Sequence, residues 1–310
     1  MPQSRQFVPL GKAARWGGTL LLLGALAYVL RERAAGWSEG LWVPRRGPGL
    51  WVALLLVPFN WGWEALKWQR LLRPVATVSS AQALRSVLAG QAAAFFSWPG
   101  VGTYLGRLLQ LDVPQRFSGG APLLWGVAWQ NALIAVGGGI GGAHLAVRTG
   151  YLTAPFAATG AFALTLLTAL LFLLGHRWVL RGARWQRWVA TIARLSPDDR
   201  RWVGFYTAAR YAVYNLQFAF LLWAYGVETD PVVTLAGTAF VFFAKTLLPF
   251  LNLLGGIGLR EAAAVAYFSQ WGVPAAPVVM ATLSLWLCNA VLPVAAGTCF
   301  LSQSRWRTRA

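Results

Sequence analysis

The chain of 310 residues is poor in the groups that carry covalent and metal chemistry, with two cysteines, two histidines and nine carboxylates. Cys288 and Cys299 lie in the same apolar run, and on one helix they would stand about 16 Å apart along its axis, farther than a disulfide reaches. His144 and His176 form no H-x-x-x-H pattern and the cysteines form no C-x-x-C, so no dedicated metal site is expected. There is no G-x-S-x-G, no Walker loop and no evident acid/base pair of carboxylates. The sequence therefore asks for neither a catalytic centre nor a cofactor.

Charge is scarce as well. Only 12% of residues are charged while 57% are apolar, and the stretches Thr19 to Leu30 and Ala157 to Leu174 hold no charge at all. Helices apolar all round do not suit a soluble domain, which needs polar faces toward water. An all-α, polytopic integral membrane protein is the fold class that fits.

The charges present are lopsided: 27 Lys and Arg against nine carboxylates give +18. In a soluble protein this would point to nucleic acid. Here the basic residues sit between apolar runs, and the densest group, His176 to Trp202, mixes Arg, Trp and Leu as a segment lying on anionic lipid headgroups would. Nucleic acid is accordingly not an expected partner. Arg5, Lys12 and Arg15 before Trp16 to Leu30 resemble a signal peptide, but the run is read as a retained first span because more spans follow.

Further apolar runs at Leu50 to Leu66, Leu123 to Val147, Leu152 to Gly175, Phe205 to Tyr225 and Ala276 to Leu301 each approach the roughly 20 residues of a spanning helix. Ser86 to Leu111 and Val232 to Phe268 are apolar but broken by Pro and Gly, as segments that enter and return are. About six spanning helices and two re-entrant hairpins result. With both termini cytoplasmic, most Lys- and Arg-rich loops fall inside, in a cell membrane, and Glu228-Thr229-Asp230 falls outside. The loop Arg31 to Arg46, with four Arg and two Glu, falls outside against the rule.

The broken segments resemble each other. "LAGQAAAFF" at 88–96 matches "LAGTAFVFF" at 235–243 in six of nine positions, and a glycine step follows each. In this topology the second half starts on the opposite side from the first. A single transmembrane domain over 1–310 with inverted halves, 1–150 and 151–310, is the plan of many transporters.

Polar residues inside such a frame are candidate sites. In "NLLGGIGLREAAAVAYF", Gly256 and Gly258 allow close backbone approach, and a helix starting near Leu259 points its positive end at an anion. Glu261 suits that first turn; Arg260 is opposed by the dipole and needs an anion, either Glu261 or a lipid phosphate. Lys245 is the third deep charge of this half. A structural Arg-Glu pair joining two helices, with Lys245 snorkelling, is the plainer alternative. In the first half Arg107 follows Gly102, with Asp112 as its expected partner, and serves equally as an edge cation. In "NWGWEALKWQRLLRP", Asn60 and Glu64 share a face, with Glu64 at helical spacing from Lys67 and Trp68. Lys67, Arg70 and the tryptophans read as an interfacial belt, whereas Glu64 does not. Gly137-Gly138-Gly139 with Gly141-Gly142 read as a close-packing surface.

With "NWGWEALKW", the segment 100–107 and "GGIGLREAA" in view, the chain resembles the lysylphosphatidylglycerol synthase transmembrane-region family, also called flippase-like domain proteins, over nearly its whole length. The resemblance implies a membrane domain that translocates a phospholipid, with Gly255, Gly256, Gly258, Arg260 and Glu261 as site residues, joined by Asn60, Glu64 and Arg107. No counterpart of the soluble synthase domain of the two-domain members is expected, and the lipid is expected to differ. The resulting expectation is a flippase-like translocator for an anionic phospholipid or polyprenyl-phosphate headgroup. Its alternative is a non-transporting membrane partner of a lipid-modifying or glycosyl-transferring enzyme. Oligomeric state is left open.

Overall fold

A computed structural model describes residues 43–95, 101–111, 113–174, 183–247 and 258–303. Helix is the only regular secondary structure among them. The helices are α1 (Gly47–Leu72), α2 (Ser80–Phe95), α3 (Val101–Leu108), α4 (Val113–Arg148), α5 (Ala154–Leu174), α6 (Ala183–Ala193), α7 (Pro197–Ala224), α8 (Pro231–Leu247) and α9 (Leu259–Phe268), then α10 (Ala275–Trp286) and α11 (Leu292–Gln303) joined through a widened π turn, Leu287–Val291. Pro293 lies four residues after Asn289, where its missing N–H and its ring break the regular ladder. The wider turn at that point absorbs the mismatch.

Among the described residues, three helical stretches are long and apolar enough to cross a membrane: Gly47–Leu72, Ser118–Arg148 and Ala275–Phe300. The expected first span, Trp16 to Leu30, lies outside the described residues. The expected span in α7 falls short in hydropathy for a physical reason. Arg210, Asn215 and Gln217 lie in it, and their polar groups turn into the bundle and not toward lipid. Many large apolar side chains face outward instead, among them Trp51, Leu55, Phe59, Phe156 and Phe162. A surface of that kind suits hydrocarbon.

α1 and α7 form the central pair, and they run antiparallel. At one end the Arg46 N–H donates to the Ala224 carbonyl at 3.0 Å and the Arg46 guanidinium pairs with Glu228. At the other end Arg70 and Arg73 reach Asp199 at 3.1 and 2.7 Å. Ser196 caps α7 there, accepting from the Asp199 N–H at 3.0 Å, with Pro197 opening the helix. Asp199 lies ahead of the apolar run of α7. Burial works to raise its carboxyl, but hydrogen bonds from Ser196 and Arg70 and the charge of Arg73 outweigh that and hold it below the usual carboxylate range.

The two interrupted segments are each helical on both sides of the break, α2 with α3 and α8 with α9; the breaks themselves, 96–100 and 248–257, lie outside the described residues. The repeated nine-residue word has a structural counterpart. A Cβ at Gly90 would come within 2.8 Å of Arg107 Cγ and 2.9 Å of the Thr103 carbonyl, so α2 and α3 cross there. The equivalent Gly237 has Tyr267 and Phe268 of α9 at 2.6 and 2.7 Å from its would-be Cβ. The long helices then exchange partners: α4 packs on α8, and α11 packs on α2. Gly141 of α4 meets the Ala236 carbonyl, and Gly297 of α11 meets the Leu88 carbonyl. Leu88 and Ala236 are one position apart in the aligned words. Gly137, Gly138 and Gly139 face Tyr211, Phe243 and Leu164, which is the close packing expected of that glycine run.

Candidate functional site

Glu64 lies on α1 with 2% of its surface exposed, one turn after the fully buried Asn60. Its carboxylate is enclosed by three cations. Arg107 Nη1 of α3 donates to Oε1 at 2.8 Å, and Arg210 Nη1 of α7 donates to Oε2 at 2.8 Å. Lys67 Nζ, one turn on in α1, lies 2.6 Å from Oε2. Gln130 of α4 offers its Oε1 to Lys67 at 3.1 Å and to Arg210 at 2.8 Å. Three helices thus meet at one carboxylate, and a fourth, α4, braces two of its cations.

The surroundings show how each cation is placed. Arg107 is 5% exposed; Ser86 donates to its backbone carbonyl at 3.0 Å while accepting from the Trp68 indole N–H at 3.1 Å. The Trp68 ring lies 5.9 Å from the Arg107 guanidinium carbon, and the Trp61 ring lies 5.5 Å from that of Arg210, both within cation–π range. Gly90 and Gly106 bring α2 and α3 close enough for Arg107 to reach α1: a Cβ on Gly106 would stand 2.7 Å from Gly90 Cα.

A chain of amides continues from the charges across the bundle. Arg210 Nε donates to Asn60 Oδ1 at 3.0 Å, and Asn60 Nδ2 donates to Asn289 Oδ1 at 2.5 Å. Asn289, in the π turn, donates to Gln217 Oε1 at 3.1 Å, and Gln217 donates to the Ala53 carbonyl at 2.9 Å. A satisfied network of this kind fixes its members' orientation. The charge does not balance in the same way: three cations face one carboxylate. Burying a charge without compensation costs several kcal/mol. Two donors, Nε of Arg107 and Nε1 of Trp61, whose ring faces Arg210, are buried without an acceptor among the described residues.

The second set of predicted residues forms around α9, which begins at Leu259 as its sequence suggests. Gly258 precedes it with φ +98°, a conformation that favours glycine. Glu261 reaches back so that Oε2 accepts the Gly258 N–H at 2.6 Å, half of a capping box. Its Oε1 accepts from Arg260 Nε at 3.2 Å and Nη2 at 2.8 Å. Arg260 is 1% exposed and its acidic partner is its own neighbour. This corrects the idea of an Arg-Glu pair joining two helices, since both residues belong to α9. Lys245, in the last turn of α8, lies within charge range of Arg260, Glu261 and also Arg210, and so stands between the two sets. Gly255 and Gly256 lie outside the described residues.

One further expectation needs correction. Lys67 is not an interfacial, snorkelling cation: it is 2% exposed and paired with Glu64. The acid that Arg107 reaches is Glu64, 43 residues earlier, and Asp112, its expected partner, lies outside the described residues. Arg210, Gln130, Gln217 and Asn289 were not singled out in the sequence. Arg210 carried the clearest signal, as a cation well inside an apolar run. Among the described residues no three of His, Cys, Asp and Glu gather as metal ligands.

No family model, no curated protein and no solved structure matches the chain.

Proposed function

We propose that this protein is a flippase-like lipid translocator of the cell membrane, with inverted halves and cytoplasmic termini, which holds an anionic phosphate headgroup inside the bundle while the acyl or prenyl chains stay in the bilayer. The observation that carries this reading is the enclosure of Glu64 by Lys67, Arg107 and Arg210. A buried surplus of positive charge with unused donors is what an anion site requires. Arg107 comes from the interrupted segment of the first half and Arg210 from the second half. Motion of one half against the other would therefore reshape the site, as alternating access demands. The antiparallel run of α1 and α7 supports inverted halves, and the exchanged packing of α4 and α11 on the two interrupted segments supports a repeat. The resemblance to the lysylphosphatidylglycerol synthase transmembrane region agrees with this role. Arg260, Glu261 and Lys245 form a second station for the same headgroup.

Reconstitution into vesicles with a labelled anionic lipid, followed by measurement of headgroup accessibility, tests the proposal. Translocation should need the protein and should fall about tenfold or more with Arg210→Ala, the loss of a charge-assisted contact. A folded Arg210→Ala protein that moves lipid at the wild-type rate would remove the site from the mechanism. A second reading, a non-transporting membrane partner of a lipid-modifying enzyme, draws on the fact that both Glu64 oxygens are already engaged and tie three helices together. It predicts stable co-purification with that enzyme and no translocation by the protein alone.

A further inference from the structure

The charge count at Glu64 deepens the translocator reading, on which this inference rests, by narrowing the headgroup. Lys67, Arg107 and Arg210 supply three positive charges and Glu64 one negative charge, which among the described residues leaves two positive charges uncompensated in a region nearly closed to solvent. Gln130, Asn60 and Asn289, which complete the surroundings, are neutral. Arg260 and Glu261 cancel each other.

From this we infer that the site selects a phosphate monoester on an apolar tail over a phosphodiester. A diester headgroup carries one negative charge and leaves the surplus half compensated. A monoester carries about −1.5 to −2 at neutral pH and has three terminal oxygens as acceptors. The donors to meet them are at hand: Arg107 uses Nη1 on Glu64 while its buried Nε has no acceptor among the described residues, and the Trp61 indole N–H is in the same state. Headgroups that are zwitterionic or bear an added amine bring no net negative charge and are disfavoured by the same count.

Three probes separate the possibilities: dodecyl phosphate, methyl dodecyl phosphate and inorganic phosphate, each titrated onto the purified full-length protein in detergent by calorimetry and tryptophan fluorescence. Near neutral pH the monoester should bind about tenfold or more tighter than the diester. The preference should shrink to roughly threefold or less at about pH 5, below the second phosphate pKa of about 6. Arg210→Gln removes one charge of the surplus and should abolish the preference; Glu64→Gln adds one and should enlarge it. Should either variant fail to fold, the wild-type ratio and its pH dependence still decide. Equal binding of monoester and diester at neutral pH, with diester lipids translocated, overturns the inference and leaves the translocator reading in place. Inorganic phosphate binding as tightly as dodecyl phosphate would make free phosphate the ligand and overturn both. Failure of all three probes to bind would likewise overturn both.

Discussion

Arg210 Nη1 donates to Glu64 Oε2 at 2.8 Å across 146 residues of sequence, joining the two antiparallel central helices at a buried point. Because Glu64 is the only acid facing Lys67, Arg107 and Arg210 among the described residues, the effect of removing it is asymmetric. Glu64→Gln leaves three cations together, and breaking a buried pair on one side costs about 3–5 kcal/mol. Combining it with Lys67→Met should restore part of the loss, because one of the repelling cations goes too. Thermal unfolding in detergent reads this out. A double variant no more stable than Glu64→Gln would mean that repulsion is not the cause.

The glycine crossings give a set of paired variants. Gly297→Ala drives a methyl into the Leu88 carbonyl, and Gly237→Ala drives one into the rings of Tyr267 and Phe268. Overpacking of this kind costs about 1–3 kcal/mol, and Gly297→Ala should be the worse because backbone cannot step aside as a side chain can. Gly62→Ala and Gly160→Ala meet nothing within 4 Å. In a helix they should be neutral or stabilising by up to about 1 kcal/mol. The order of melting temperatures checks the crossings; equal losses at Gly297 and Gly160 would refute them.

How much of this was legible in the sequence follows from chain distance. Asn60, Glu64 and Lys67 lie within two turns of one helix, so their common face can be read from spacing. Arg260 and Glu261 are adjacent, and glycines mark the start of their helix. The word shared by 88–96 and 235–243 pointed at both crossings, since Gly90 and Gly237 occupy the same place in it. The pairing of Glu64 with Arg107 and Arg210, and of Asn60 with Asn289, spans 43 to 229 residues and leaves no local pattern. Lys67 was misread because a lysine near a helix end looks the same whether it snorkels or turns inward. Only the carboxylate it pairs with distinguishes the two, and that carboxylate's other partners are remote.

Glu261 has two tasks that substitution can separate. Glu261→Gln keeps an oxygen for the Gly258 N–H but loses the charge that faces Arg260; Glu261→Ala loses both. Loss of a cap costs about 1 kcal/mol, so the alanine variant should be the less stable by roughly that amount. Gly258→Ala should cost a further 1–2 kcal/mol or so, for a left-handed conformation that a Cβ opposes. Chemical unfolding followed by tryptophan fluorescence compares the three. Equal stability of Glu261→Gln and Glu261→Ala would deny the capping role.

Asp199 makes the end of the central pair sensitive to acid. Its carboxyl is held below the usual range in the folded protein. The stability it contributes is therefore fully present above the unfolded value of about 3.9, and it is lost as pH falls through the lower folded value. Melting temperature should drop on acidification below about pH 4, and Asp199→Asn should start lower and flatten that limb. An Asp199→Asn protein with the wild-type acid profile would show that the clamp with Arg70 and Arg73 does not hold α1 to α7.

The antiparallel central pair makes a prediction about topology that requires no knowledge of the ligand. Arg46 and Glu228 meet at one end of the pair, while Arg73 and Asp198 lie at the other, with Arg70 3.9 Å from Asp198. α1 has 26 residues, about 39 Å at 1.5 Å per residue, which exceeds the roughly 30 Å of a hydrocarbon core. Its two ends must then open to opposite sides if it crosses the bilayer. After replacement of Cys288 and Cys299, single cysteines at Glu228 and Arg73 should react with a membrane-impermeant maleimide from opposite faces of sealed vesicles. Cysteines at Glu228 and Tyr151, the latter in the exposed turn between α4 and α5, extend the map to the next pair of helices. Both ends of α1 labelling from one face would mean that α1 lies along the membrane, and the inverted arrangement of the halves would fall with it.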